Sequence, residues 1–194
     1  MQDVLLVLLG IPVGFASSAA LWFWLYRYLV PNIVFSEHIG RVGSSRTPSG
    51  LRYRIKIMNN GNRDAIDLTI VVRYSARGIG EITSNRSSYK LDISANAIPR
   101  LRKGGNRIIN IRPEQTDAFQ RTMFPPEIRS SKIDGKLNLD DIMKLGTEPK
   151  IQMHIFCYDE FSGARKLFDS KEYRAEDIVR GKFDRKSLSI KREK

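Results

Sequence analysis

The sequence predicts an all-β chain: an immunoglobulin-like antiparallel β-sandwich of about seven strands, preceded by one N-terminal transmembrane helix. Three observations carry that reading. Short stretches of alternating apolar and polar residues recur between Gly-, Asn- and Pro-containing turns, with no long amphipathic helix between them. Val4 to Tyr26 is a run of 23 residues without a charged side chain. The rest of the 194-residue chain is ample for one domain with its own core and short for two. The expected divisions are a helix over 4–30, a sandwich over 31–175 and a basic, disordered tail over 176–194.

As a helix, the uncharged run would be roughly 34 Å long, against a hydrocarbon core of about 30 Å. Trp22, Phe23, Trp24, Tyr26 and Tyr28 read as an aromatic belt at one interface, with Arg27 among them able to snorkel toward phosphates. Only Asp3 precedes the run, whereas Arg27, Arg41 and Arg46 follow it. The positive-inside rule then places the N-terminus outside and the domain at the cytoplasmic face of an inner membrane. A cleaved signal peptide is the rival reading, with Ala16 to Ala20 as the cut region. It is disfavoured because no Lys or Arg precedes the run and apolar residues continue to Val30. Gly10, Gly14 and Ser18 recur every fourth residue and would let helices approach closely, so a homo-oligomer through this helix is expected. Pro12 lies within that face and removes one backbone donor.

Pro31 ends the helix, and Ile33-Val34-Phe35 begins the first strand. Residues 41 to 50, rich in Gly and Ser, read as a loop. From Leu51 to Met58 the residues Leu51, Tyr53, Ile55 and Ile57 alternate with Arg52, Arg54 and Lys56, giving a half-buried strand with a basic outer face. Asn59 to Asn62 is a turn. Ile66, Leu68, Ile70, Val72 and Tyr74 make a third strand; Tyr89, Leu91 and Ile93 a fourth; residues 107–112 a fifth. Within the irregular 113–149 region, Leu139 to Leu145 predicts a short helix, capped by Asn138 and closed by Gly146. Ile151, Met153, Ile155 and Cys157 alternate in a sixth strand, and residues 165–170 form a seventh. Residues 175–180 suggest a last helical turn. From Arg180 onward, seven Lys or Arg stand against two acids with few apolar residues, which predicts disorder.

The formal net charge is +12 and the pI is near 10.0. Such a balance suits an anionic partner. With an anchor in place, that partner is a lipid bilayer with anionic headgroups; nucleic acid ranks below it, and a protein partner stays unidentified. The candidate contact residues are Arg27, Arg52, Arg54, Lys56, Arg100, Arg102, Lys103 and Arg107.

The segment from Tyr53 to Leu68, with Asn59-Asn60-Gly61 and Ala65 at its centre, resembles a strand–turn–strand signature of bacterial immunoglobulin-like modules. The cell-adhesion-related domain found in bacteria is the nearest such module. Ile98 to Gly105 is similar to the turn those modules place before their next strand, and the layout resembles uncharacterised bacterial single-pass proteins. The resemblance implies an immunoglobulin-like sandwich with an adhesion role. Such modules usually lie outside the cell, in contrast to the orientation expected here.

No catalytic constellation is found. His154 and Cys157 lie three apart on one strand and point to opposite faces, so they form no dyad. Asp134, Asp140 and Asp141 suit a helix start better than a metal site. Cys157, the only cysteine, excludes an intramolecular disulfide. No cofactor or metal is expected. The sequence therefore predicts a membrane-anchored, non-enzymatic binding or scaffold module. The alternative is a ligand-sensing membrane effector whose helices assemble to perturb the bilayer.

Overall fold

The computed structural model describes residues 2–28, 30–79 and 86–192, with side chains described over 10–24, 30–79 and 86–191. A helix, α1, runs from Gln2 to Tyr28. Among the described residues, however, no helix is long and apolar enough to cross a membrane. Gly10, Pro12, Gly14, Ser17 and Ser18 dilute the apolar character of the middle of α1. The Ser17 hydroxyl turns inward to donate to the Val13 carbonyl, 2.7 Å away. This corrects the membrane-spanning expectation and removes the single-pass, inner-membrane placement built on it.

After the helix come β1 (Ile33–Phe35), β2 (Ile39–Gly43), β3 (Leu51–Asn59) and β4 (Ala65–Arg77). They are followed by β5 (Arg86–Leu91), β6 (Ala97–Leu101) and β7 (Asn106–Ile111). The last strands are β8 (Thr147–Asp159), β9 (Arg165–Asp169), β10 (Ile178–Phe183) and β11 (Ile190–Arg192). The chain is mostly β, in two sheets. In the first, β3 pairs with β7 along one edge and with β1 and β2 along the other, and β10 continues beyond β2. In the second, β4 pairs with β8 on one edge and with β5 and β6 on the other, and β9 lies outside β8.

Both sheets contribute to one core. Tyr53, Ile55 and Ile57 enter it from β3, and Ile151, Met153, Ile155 and Cys157 from β8, as the period of two requires. In β4 the alternation is broken. Ala65 and Leu68 are both buried because the register shifts between Ile66 and Thr69, with Asp67 at φ 49°. This is a bulge, and it lies within a stretch whose apolar spacing alone reads as regular.

Residues 113–146 close one end of the sandwich. Two 3₁₀ turns, Pro113–Gln115 and Asp117–Gln120, lead to α2 (Pro126–Ile133) and α3 (Leu139–Ile142). The Asn138 side chain caps α3 by accepting from the Asp141 amide at 2.9 Å. Phe119 and Phe124 join Tyr74 and Tyr89 in an aromatic cluster, with ring centroids 5.1–6.4 Å apart. The Tyr74 hydroxyl donates to the Leu145 carbonyl (2.8 Å), and the Tyr53 hydroxyl to Asp140 (2.5 Å).

The C-terminal segment departs most from expectation. Residues 175–177 form a 3₁₀ turn, and β10 then pairs with β2 in parallel, so the first sheet is mixed. At Gly181 (φ 152°) β10 leaves β2 and begins to pair with β11, the hairpin turning over residues 184–189. A Cβ at Gly181 would collide with the Lys191 carbonyl, and one at Gly40 would lie 3.2 Å from the Phe183 ring. The hairpin therefore folds back onto the outer face of the first sheet. A tail read as disordered from its charge is an ordered cover through residue 192.

Candidate functional site: a basic face under a C-terminal strap

On β3, side chains alternate between core and outer face. Arg52, Arg54 and Lys56 share the outer face, as the spacing predicts, but their environments differ. Lys56 is 1% exposed, so it is not a surface cation. Its ammonium donates to the carbonyls of Asp184, Arg185 and Ser187 at 2.7, 2.9 and 2.8 Å, which uses all three of its protons. Burial pulls its pKa below the ordinary lysine value, and the charge of Asp184 opposes that pull. Lys56 is the latch that holds the strap joining β10 and β11.

The strap is ordered internally as well. Asp184 accepts from the amides of Lys186 (3.2 Å) and Ser187 (3.3 Å) and pairs with Lys191 at 2.9 Å. The Lys191 hydrogen bond and those two amides hold its carboxyl well below the usual range. The Arg185 carbonyl also accepts from Asn106 on β7 at 3.4 Å. This places exposed Arg185 and Lys186 above the same sheet face as Arg54.

Arg54 is half-buried, and its Nε is fully buried without a hydrogen-bond partner. Burial lowers its pKa from the ordinary value, and the like charge of Arg52 adds to the shift. Neither arginine has an acidic partner among the described residues. By contrast, Arg41 pairs with Asp140 (3.1 Å), Arg63 with Asp159 (3.4 Å) and Arg86 with Glu148 (2.8 Å), whereas Arg129 on α2, like Arg54, has a buried Nε without a hydrogen-bond partner.

The remaining candidates do not join this face. Arg100 lies on β6 in the second sheet and is held by Asp64 (2.7 Å) and Glu160 (2.9 Å). Arg102 and Lys103 are exposed in the turn before β7, where the Lys103 amide donates to Asp64 at 2.8 Å. Arg107 lies opposite Ile57, hence on the other side of the sheet from Arg54. A Cβ at Gly10 or Gly14 would have nothing within 4 Å, and Ser18 is exposed, so nothing among the described residues packs on that helix face. The side chain of Arg27 lies outside the described residues.

The groups weighed for chemistry have structural roles. Cys157 is fully buried, and burial pushes its thiol up to about 11, which keeps it protonated and unreactive. His154 pairs with Asp169 at 2.6 Å. Asp140 holds Arg41 and Tyr53 rather than merely starting a helix. Among the described residues, no three His, Cys, Asp or Glu side chains converge as a metal site.

Sequence reasoning missed the strap. Its one signal is the alternation Leu188-Ser189-Ile190, too short to weigh against the surrounding charge. The comparisons found no protein-family model and no curated protein that this chain matches.

Proposed function

We propose that the chain is a non-enzymatic binding module that takes a polyanionic, phosphate-bearing ligand on the outer face of its first sheet, at Arg52 and Arg54. The observation that carries this reading is the half-buried Arg54, whose Nε lacks a partner beside a like charge. Exposed cations such as Arg102 and Arg107 are solvated at no cost, whereas a desolvated, unpaired guanidinium costs free energy that an anion recovers. Two residues apart on a strand, Arg52 and Arg54 stand on the order of 7 Å apart, so a ligand with two or more anionic groups fits better than a single carboxylate. The resemblance to bacterial immunoglobulin-like modules supports a binding role rather than a catalytic one. Nucleic acid ranks lower because no exposed ring that could stack bases stands on the Arg52/Arg54 face among the described residues: Tyr158 and Phe161 belong to the second sheet and its β8–β9 turn, and Phe15, Trp22, Phe23 and Trp24 to α1.

The test is calorimetric titration of inorganic tripolyphosphate into the full chain. Arg52→Gln/Arg54→Gln should lower affinity at least tenfold, whereas Arg107→Gln should leave it unchanged. Parallel arms with neutral and anionic lipid vesicles distinguish a headgroup from a soluble phosphate as the source. Equal affinity of the double variant and the parent would end the proposal.

Self-association through α1 is the second part of this reading. It is favoured by the exposure of Ile11, Val13, Phe15 and Leu21 along the helix. Gly10→Ile/Gly14→Ile should reduce the mass measured by sedimentation; an unchanged mass would count against it.

A further inference from the structure

A second site lies on the other side of the C-terminal hairpin. Between the β1–β2 connection and the hairpin is a cleft of about 490 Å³, within the usual range for small-molecule sites. Phe35 and Val179 form apolar walls, and Leu188 and Ile190 close it from the hairpin. Each of these four is only partly buried, so each retains apolar surface for a ligand to cover.

The cleft is preformed. The Ser36 amide donates to the Lys56 carbonyl (2.8 Å), its hydroxyl to the His38 carbonyl (2.9 Å), and Tyr173 donates to the Ser36 carbonyl (2.6 Å). These bonds fix the segment that presents Glu37 and His38. The opposite wall is fixed by the Lys56 latch.

The polar groups are acceptors. Glu37 is exposed in the cleft and has no cationic partner among the described residues. The His38 Nδ1 is buried without a hydrogen bond, 3.8 Å from Asp177, while the ring as a whole is 41% exposed. The exposed edge is therefore the one bearing Nε2. With the proton on Nδ1, facing Asp177, Nε2 offers a lone pair to the cleft.

We propose that this cleft binds a small amphipathic amine, its apolar body between Phe35, Val179, Leu188 and Ile190 and its ammonium at Glu37 and His38. The overall charge of +12 opposes a cationic ligand. Charges beyond about 8 Å are largely screened at physiological salt; Asp177 is already paired with Lys171 at 2.5 Å, so the unpaired carboxylate of Glu37 decides the local sign. The site is separate from the Arg52/Arg54 face and stands or falls independently of it.

The experiment titrates the full chain with phenethylammonium, neutral 3-phenylpropanol and anionic 3-phenylpropionate, followed by ligand-observed NMR and calorimetry. The amine should bind most tightly. Glu37→Gln should weaken it about tenfold, roughly 1.4 kcal/mol, and leave the alcohol unaffected. Ser189→Trp, at an exposed position, fills the cleft and should abolish binding of both. No binding of the amine, equal binding of all three compounds, or insensitivity to Glu37→Gln would each overturn the proposal.

Discussion

Tyr53 shows how one side chain joins core and periphery. Its ring lies in the core, and its hydroxyl reaches Asp140, which also accepts from Arg41 at 3.1 Å. Tyr53→Phe removes one of the two links between α3 and the sheet, leaving that of Arg41, and should cost about 1.5–3 kcal/mol in urea unfolding, the usual net contribution of a hydrogen bond to a charged group. Burial also raises the pKa values of Tyr53, Tyr74 and Tyr173, the last up to about 12. Unfolded tyrosines ionise near pH 10. The stability these residues contribute is therefore fully present below pH 10 and is lost as pH rises from about 10 through 12 and beyond. Urea midpoints measured from pH 9 to pH 12 should fall across that window; a flat profile would show that these hydroxyls are more accessible than the structure makes them.

At the scale of elements, the decisive feature is the β10–β11 hairpin. It has four attachments: the parallel pairing of Ile178–Arg180 with β2, the close approach at Gly40, the Lys56 latch and the Asn106 hydrogen bond to the Arg185 carbonyl. Lys56→Met leaves three strap carbonyls without their donor, and Gly181→Ala forces a collision at the bend. Each should release the hairpin locally while the core sheets persist. Limited trypsin digestion should then cleave after Lys182, Arg185 or Lys186 at least tenfold faster than in the parent. Unchanged cleavage would mean that the strap is held by something other than Lys56. Most strands were legible because period-2 apolar spacing is set locally, as in β3 and β8. The hairpin was not, because its stability comes from a partner residue more than 120 positions away. Composition alone reports its charge and hides its docking.

On the scale of the whole molecule, sequence and structure agree on a mostly β chain in two sheets and part over the N-terminal helix. Uncharged length suggested a membrane span; among the described residues no helix meets that requirement. The candidate site was legible in part. Alternation placed Arg52, Arg54 and Lys56 on one face, but only tertiary structure shows that Lys56 faces the strap while Arg54 lacks a partner. It also separates Arg100 and Arg107 from that face. The most direct test of the central claim locates the anion. Amide exchange across the full chain, measured with and without tripolyphosphate, should show added protection at Arg52–Lys56 of β3 and at Ile108–Asn110 of the adjoining β7. Protection confined to the Arg102–Gly105 turn, or no change in β3, would contradict the account.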